Sequence, residues 1–310
     1  MNINNNYSII NILIFTILLV KLKYAYTEKA TTLYNECPTL NNLNSLNILS
    51  RVETLDEIIY NNKSISRFGD GEFKIIFGIG IGFQEFNSDL STRLRNILKS
   101  SENGLIIAIS GSLKHPESCS KSWKRFINRY KCNLMKLLDF NKIYGTAGIS
   151  RFYQFNNNRI DVLKYVNKLK MIWDKKDIII IEGEKSRFGI NNDLLNNTKS
   201  IQRILCPSKN AYEKYDKIYN EAVKISKEKL VLIALGPTAT ILAYDLHNAG
   251  YQAIDIGHVD ISYEWFLRNA TEKIKIENKY INEVKDGDKD IDDVADKNYY
   301  DQILVNISDY

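Results

Sequence analysis

Asp70 and Glu72 stand on either side of Gly71 in the stretch Arg67-Phe-Gly-Asp-Gly-Glu72. In an extended turn, two carboxylates so spaced can point the same way. Such a pair offers hard oxygen ligands to Mn2+ or Mg2+, which take a few protein carboxylates and complete their shell with water and substrate phosphates. Gly69 and Gly71 leave the backbone open to close approach. The same residues are also compatible with a plain exposed turn. Further on, Glu182-Gly-Glu-Lys-Ser-Arg-Phe-Gly189 sets Glu184, Lys185, Ser186 and Arg187 in a glycine-bounded loop. Lys185 and Arg187 can hold a diphosphate through charge-assisted hydrogen bonds, or pair with Glu182 and Glu184 in a surface loop. Gly236-Pro-Thr-Ala-Thr240 reads as a strand-to-helix turn that puts Gly236, Pro237 and Thr238 at a helix N-terminus, where free N–H groups suit an anion. His258 lies near Asp255, Asp260 and Glu264. His258, Asp260 and Glu264 are the candidates for a general base.

Other chemistries lack their residues. No G-x-S-x-G is present, and Ser110-Gly-Ser112 has no evident His and Asp partners, so a hydrolase triad is unsupported. Gly78-Ile-Gly-Ile-Gly82 is an incomplete dinucleotide fingerprint and follows a helical rather than a strand-like run, which leaves an oxidoreductase unsupported. Cys37, Cys119, Cys132 and Cys206 form no C-x-x-C, which removes zinc and thioredoxin readings, and Cys206 reads as a small buried hydrophobe.

The elements that must position these residues alternate. Strands are expected at Ser64–Phe68, Leu105–Ile109, Lys142–Tyr144, Ile178–Ile181, Ser200–Cys206, Leu230–Leu235 and Gln252–Ile256. Ile178–Ile181 and Leu230–Leu235 are continuous apolar runs, as strands covered on both faces require. Helices are expected over Val52–Asn61, Asn210–Lys227 and Pro237–His247, the last with proline in its first turn and Gly250 beyond its end. The pattern predicts an α/β fold: a Rossmann-like, mostly parallel sheet with helices on both faces. Each polar cluster follows a predicted strand, so all share the carboxyl edge of the sheet, where such folds bind ligands.

The chain has 310 residues, with 25% charged and 44% hydrophobic, which excludes wholesale disorder. Its net charge of +5 is uneven: from Ile281 to Tyr310 there are nine acids against three lysines. A mildly basic body suits an anionic small ligand and lacks the dense stripe of a nucleic-acid binder. The apolar run Ile9–Val20, followed by Lys21 and Lys23, has the length of a signal-peptide core, although no basic residue precedes it. Residues 1–27 therefore read as a signal peptide or signal-anchor, with a buried or amphipathic segment as the alternative. On this reading 28–50 is a polar linker, 51–270 the catalytic domain and 271–310 an acidic appendage. A leader implies the secretory pathway lumen or secretion, with possible membrane attachment; without one the chain is cytoplasmic. Sequons at Asn62, Asn196, Asn269 and Asn306 are weak support.

Taken together, Ser66-Arg-Phe-Gly-Asp-Gly-Glu72, Glu182–Gly189 with Asn192-Asp193, Ile204-Leu-Cys-Pro-Ser-Lys-Asn-Ala211, Gly236-Pro-Thr-Ala-Thr-Ile-Leu-Ala-Tyr-Asp-Leu246 and Asp255-Ile-Gly-His-Val-Asp-Ile-Ser-Tyr-Glu-Trp265 resemble the GT-D-type glycosyltransferases, first known as a domain of unknown function in streptococcal adhesin-glycosylation clusters. The likeness spans Ile58–Leu267. It implies a nucleotide-sugar donor (UDP-glucose in the best-known members), a glycan or glycoprotein acceptor and a divalent metal, Mn2+ or Mg2+, at Asp70 and Glu72. It further implies a donor site around Arg67, Gly69, Gly71, Glu184, Lys185, Ser186, Arg187, Gly236, Pro237 and Thr238. Tyr263 and Trp265 are either a sugar platform or core. Those relatives are cytoplasmic, so a leader here is a departure. The rival readings are a nucleotide-binding scaffold without activity and another nucleotide-dependent transferase.

Overall fold

Ile178, Ile179, Ile180 and Ile181 are all fully buried. Four β-branched residues in succession cannot make an amphipathic helix; they make a strand covered on both faces. Their side chains alternate, Ile179 and Ile181 entering one apolar layer and Ile178 and Ile180 the other. A computed structural model describes residues 42–155, 158–289, 291 and 296–308. In it this strand, β5 (Asp177–Gly183), lies between β7 (Leu230–Ala234) and β6 (Ser200–Cys206). The other strands are β1 (Asn47–Ile48), β2 (Ser64–Phe68), β3 (Leu105–Ile109), β4 (Ile143–Thr146), β8 (Ala253–Asp255) and β9 (Ile303–Asn306). Among the described residues they form one sheet of nine strands, all parallel, in the order β1-β4-β3-β2-β8-β7-β5-β6-β9.

Helices cover both faces. One layer holds α2 (Asp70–Ile76), α3 (Ser88–Lys99), α4 (Lys121–Leu137), α6 (Tyr215–Ala222) and α7 (Pro237–Asn248). The opposite layer holds α1 (Arg51–Tyr60), α5 (Arg159–Lys170) and α8 (Val259–Leu267). The short α9 (Lys297–Asp301) precedes β9. Local chemistry sets the starts. Ser50 Oγ accepts from Glu53 N at 3.2 Å while Glu53 Oε2 accepts from Ser50 N at 2.8 Å, a capping box that begins α1 one residue before the expected point. The expected helix over 210–227 is shorter. Asn210 adopts a positive φ of 53°, a 3-10 turn follows, and α6 ends at Ala222, where Tyr251 Oη donates to the carbonyls of Val223 and Ile225.

The ends of the body differ from the sequence expectation. Residues 42–50, assigned to a linker, pack: Leu43 and Leu46 are buried and β1 pairs with β4. Residues 271–308, assigned to an appendage, supply β9 and bury Ile276, Lys279, Ile281, Tyr299 and Ile307. The many acids of this segment hid its apolar residues, which are spaced to cover the sheet edge. The proposed leader lies outside the described residues.

Candidate functional site

Parallel register carries the expected clusters to one edge. The carboxyl ends of β2, β8 and β7 are neighbours, and their loops are tied together at Arg67. Its guanidinium donates to Asp255 O (2.6 Å), Asp255 Oδ1 (2.6 Å), Ser150 Oγ (2.6 Å) and Ala147 O (3.2 Å). Thr240 Oγ1 donates to the Arg67 carbonyl at 2.9 Å, which fastens α7 to the same point. Burial holds the Asp255 carboxyl above the usual range, although Arg67 opposes it. Gly257, at φ 49°, lies over the guanidinium; a Cβ there would fall 1.8 Å from an Arg67 nitrogen. Arg67 was expected at the donor site; its fork is instead occupied by protein groups, so it braces the edge.

Asp70 and Glu72 occupy the first turn of α2 rather than an extended turn. Glu72 Oε2 accepts from Gly69 N at 2.7 Å, the N3 position reaching back to cap the helix. Asp70 is half-exposed and pairs along the helix with Lys74 at 2.6 Å. Burial, with the Asp255 carboxylate nearby, pushes the Glu72 carboxyl up to about 7 against the lowering effect of Gly69 N–H and Arg67. Among the described residues Glu72 makes no ion pair, and no group of three or more His, Cys, Asp or Glu is arranged to hold a metal. Two carboxylates, one short of cationic partners, are nonetheless the set a divalent ion uses when a diphosphate and water complete its shell. The half-exposed Lys74 pair stabilises by only a few tenths of a kcal/mol and is readily given up. Asp70 and Glu72 offer oxygens to such an ion from two positions of one helical turn that do not face each other, so Glu72 would have to leave its Gly69 cap to share it.

The loop after β5 divides into a buried base and an open tip. Glu182 is fully buried; it pairs with Arg203 and accepts from Phe188 N at 2.7 Å, so its partner is neither Lys185 nor Arg187. Arg187 is buried at φ 50°, its Nη1 donating to Asn278 O at 2.9 Å while Nε has no partner among the described residues. Lys185 alone in this loop stands exposed, with Glu184 and Ser186 half-buried beside it. At the neighbouring strand β7, Gly236 (φ 55°) starts α7 with Pro237 in its first turn, and the Thr238 hydroxyl is buried without a partner among the described residues. The Phe83 ring covers this turn, since a Cβ on Gly236 would lie 2.5 Å from it.

The three candidate bases separate. Asp260 accepts from Gly189 N (3.0 Å), Asn192 Nδ2 (2.8 Å) and Lys279 Nζ (2.7 Å). Glu264, one turn along α8, accepts from Asn192 Nδ2 (2.7 Å), Lys279 Nζ (2.9 Å) and Arg268. Burial alone would raise the Glu264 carboxyl, but Lys279, Asn192 and Arg268 hold it below its ordinary value. Both acids are buried and saturated, so neither is available as a base; they fasten the 189–192 loop and the C-terminal segment to α8. His258 is different. Its Nε2 lies 3.2 Å from Glu283 Oε1, and its enclosed Nδ1 has no partner among the described residues. Burial and the Arg151 charge lower its pKa to about 3, outweighing Glu283, so the ring is neutral. Glu283, bound by Arg151 and Lys273, stays ionised well below the carboxylate range. Tyr263 and Trp265 are core: Tyr263 Oη donates to Asp193 Oδ1 at 2.5 Å and Trp265 Nε1 to Ile274 O at 2.9 Å.

The edge therefore gathers Asp70, Glu72, Lys185, Gly236–Thr238 and His258, and gives Arg67, Arg187, Asp260 and Glu264 to its framework. Sequence reading missed Asn192 as a donor, and missed Lys279, Glu283, Arg151 and Arg203. An isolated Lys279 between Ile276 and Ile281 is the one local signal, because a cation flanked by core residues needs a buried acid. A surface pocket of about 330 Å³ near Gln202, Lys224 and Leu304 includes none of these residues.

A family model described as glycosyltransferase GT-D fold matches residues 65–284. The probable glycosyl transferase Gly of Streptococcus gordonii is 37% identical over 268 residues, covering 85% of this chain and 39% of that protein. Glycosyltransferase GlyD of Streptococcus pneumoniae serotype 4 is 35% identical over 260 residues, covering 82% of this chain and 32% of that protein. The chain thus spans well under half the length of the curated relatives it matches. Two solved structures are similar over 85% of this chain. A selenomethionine-substituted domain of unknown function 1792 has a TM-score of 0.80 at 36% identity over 96% of its chain. A glycosyltransferase of that domain type from Streptococcus sanguinis has 0.79 at 35% over 100% of its chain.

Proposed function

The chain belongs to the GT-D glycosyltransferase family, and on that premise we propose that it moves a sugar, glucose by family analogy, from a UDP-sugar to a glycan or glycoprotein acceptor. The observation that carries this reading is the placement of two carboxylates, a half-exposed Asp70 and a Glu72 with no ion pair among the described residues, at the meeting point of β2, β8 and β7. Asp70 and Glu72 would hold Mn2+ or Mg2+, which when bound would neutralise the charge on the departing diphosphate as a Lewis acid. Lys185, exposed at the tip of the β5 loop, adds a cation whose attraction grows as that charge develops. At the α7 N-terminus the N–H groups of Gly236 and Thr238, Pro237 having none, would meet the same anion once the Phe83 ring moves aside. Among the described residues, His258 is the one candidate base that keeps an acceptor atom without a partner, and that atom is enclosed. A neutral imidazole with a pKa near 3 is a weak base, and its unpartnered nitrogen is enclosed, so His258 is not placed to take a proton from an acceptor hydroxyl. The apolar run Ile9–Val20 supports placing this activity in the secretory pathway, attached to or released from a membrane.

Calorimetric titration of UDP, with and without Mn2+, tests the proposal. Metal-dependent binding is expected, and Asp70→Ala should abolish it while changing stability by no more than about 0.5 kcal/mol. Equal binding with and without metal would remove the ion from the reading and leave the transferase. Folded protein that binds no UDP under either condition would leave the scaffold reading.

A further inference from the structure

Between Glu117 and Asp139 the chain has no acidic residue, and α4 within that interval carries Lys121, Lys124, Arg125, Arg129, Lys131 and Lys136. The apolar side of α4 is committed to the core. Phe126, Ile127, Tyr130, Leu134 and Met135 are buried, with Phe126 against Phe73 and Tyr130 against Phe77, which caps the end of α2. The six cations are all exposed. Some lysines and arginines elsewhere pair with acids: Lys74 with Asp70, Arg93 with Asp245, Lys168 with Asp56, Lys170 with Asp193. Among the described residues none of the six on α4 forms an ion pair. At about 100° per residue they cover an arc of roughly 160° along a helix some 25 Å long. This is a broad basic face, interrupted near its middle by the half-buried, disulfide-bonded Cys132, and suited to an extended anionic surface rather than to one small anion.

Where the chain enters the body says which surface. Leu43 and Leu46 are buried in the same apolar layer as Leu134 and Leu137 of α4, and Asn47 Nδ2 donates to Phe140 O at 3.2 Å, just past the end of that helix. The forty-odd residues upstream, which include the apolar run Ile9–Val20 with Lys21 and Lys23, therefore join the body beside α4. An apolar segment and a polybasic face are the two signals that together give stable membrane attachment, where either alone is marginal. We propose that the exposed face of α4 docks on an anionic lipid surface, next to the point where the apolar run reaches the bilayer. Because α2 packs directly on α4, with Lys74 Nζ 5.9 Å from the Phe126 ring centre, docking holds the Asp70–Glu72 turn one helix away from the lipid headgroups.

The test is sedimentation of the full chain with phosphatidylcholine vesicles, with and without phosphatidylglycerol, for the wild type and for Lys124→Gln/Arg125→Gln/Arg129→Gln/Lys131→Gln. A basic residue near an anionic surface changes partitioning about fivefold, so the fourfold variant should bind the anionic vesicles more than about a hundredfold less well. Raising the salt concentration should weaken the wild type in the same direction, and this arm holds even where the variant folds poorly. Undiminished binding by a folded variant, salt-insensitive binding, or equal binding to neutral vesicles would each overturn the proposal. Loss of heparin binding with unchanged vesicle binding would overturn it too, assigning the face to a soluble polyanion.

Discussion

At the head of α2, Glu72 is held by one backbone N–H and no ion pair, and its carboxyl rises to about 7. Along α8, Asp260 and Glu264 are more deeply buried, yet Lys279 and Asn192 serve both and Glu264 is held below its ordinary value. Both regions are acidic turns following a central strand, and both looked like chemistry in the sequence. The difference lies in compensation. A buried carboxylate whose cation is already supplied is framework, whereas one left short of positive charge is a receptor for it.

The most severe way to break the comparison is to remove the compensating cation. Lys279→Met leaves Asp260 and Glu264 buried without their shared partner, and the protein should lose about 3–5 kcal/mol of unfolding free energy in a urea titration. A loss below about 1 kcal/mol would mean that the cluster is not framework.

The pH dependence of stability sharpens the contrast. The Glu72 pKa is raised in the folded state, so the native protein binds the extra proton. Unfolding free energy should therefore fall as pH rises from about 4.5 to about 7, by at most about 3 kcal/mol, and level off above. Glu72→Gln in metal-free protein should flatten that window. Glu264 runs the other way, since its folded pKa is depressed: its contribution is complete above about 4.5 and is lost as pH falls below that value. Denaturation curves across this range would expose either sign being wrong.

The smallest effect expected is at Lys185. Lys185→Ala should weaken UDP binding about tenfold, the scale of one charge-assisted hydrogen bond, and leave uridine binding unchanged. Equal losses for both ligands would move Lys185 away from the diphosphate.

Much of the fold was legible in local pattern. Ser64–Phe68, Leu105–Ile109 and Ser200–Cys206 are strands with the expected bounds, because runs of β-branched and apolar residues between turn formers admit little else. The two strands that escaped notice are the edges. β1 has two residues, and β9 lies in a segment where acids are interspersed among the apolar residues. Edge strands need only one covered face, so they carry a weaker signal. The site was legible as a set of loops and illegible as a set of roles: nothing next to Arg67 announces Asp255, and nothing next to Glu182 announces Arg203.

The sequence by itself determined the seven inner strands, the continuous hydrophobicity that makes the sheet parallel and buried, and hence that the glycine-rich and charged loops share one edge. Those properties are short-range, written in residue type and period. Only the tertiary structure decided which carboxylates are free. Lys279 reaches Asp260 across 19 positions and Asp255 reaches Arg67 across 188, and partnership at that separation is set by how strands and helices pack.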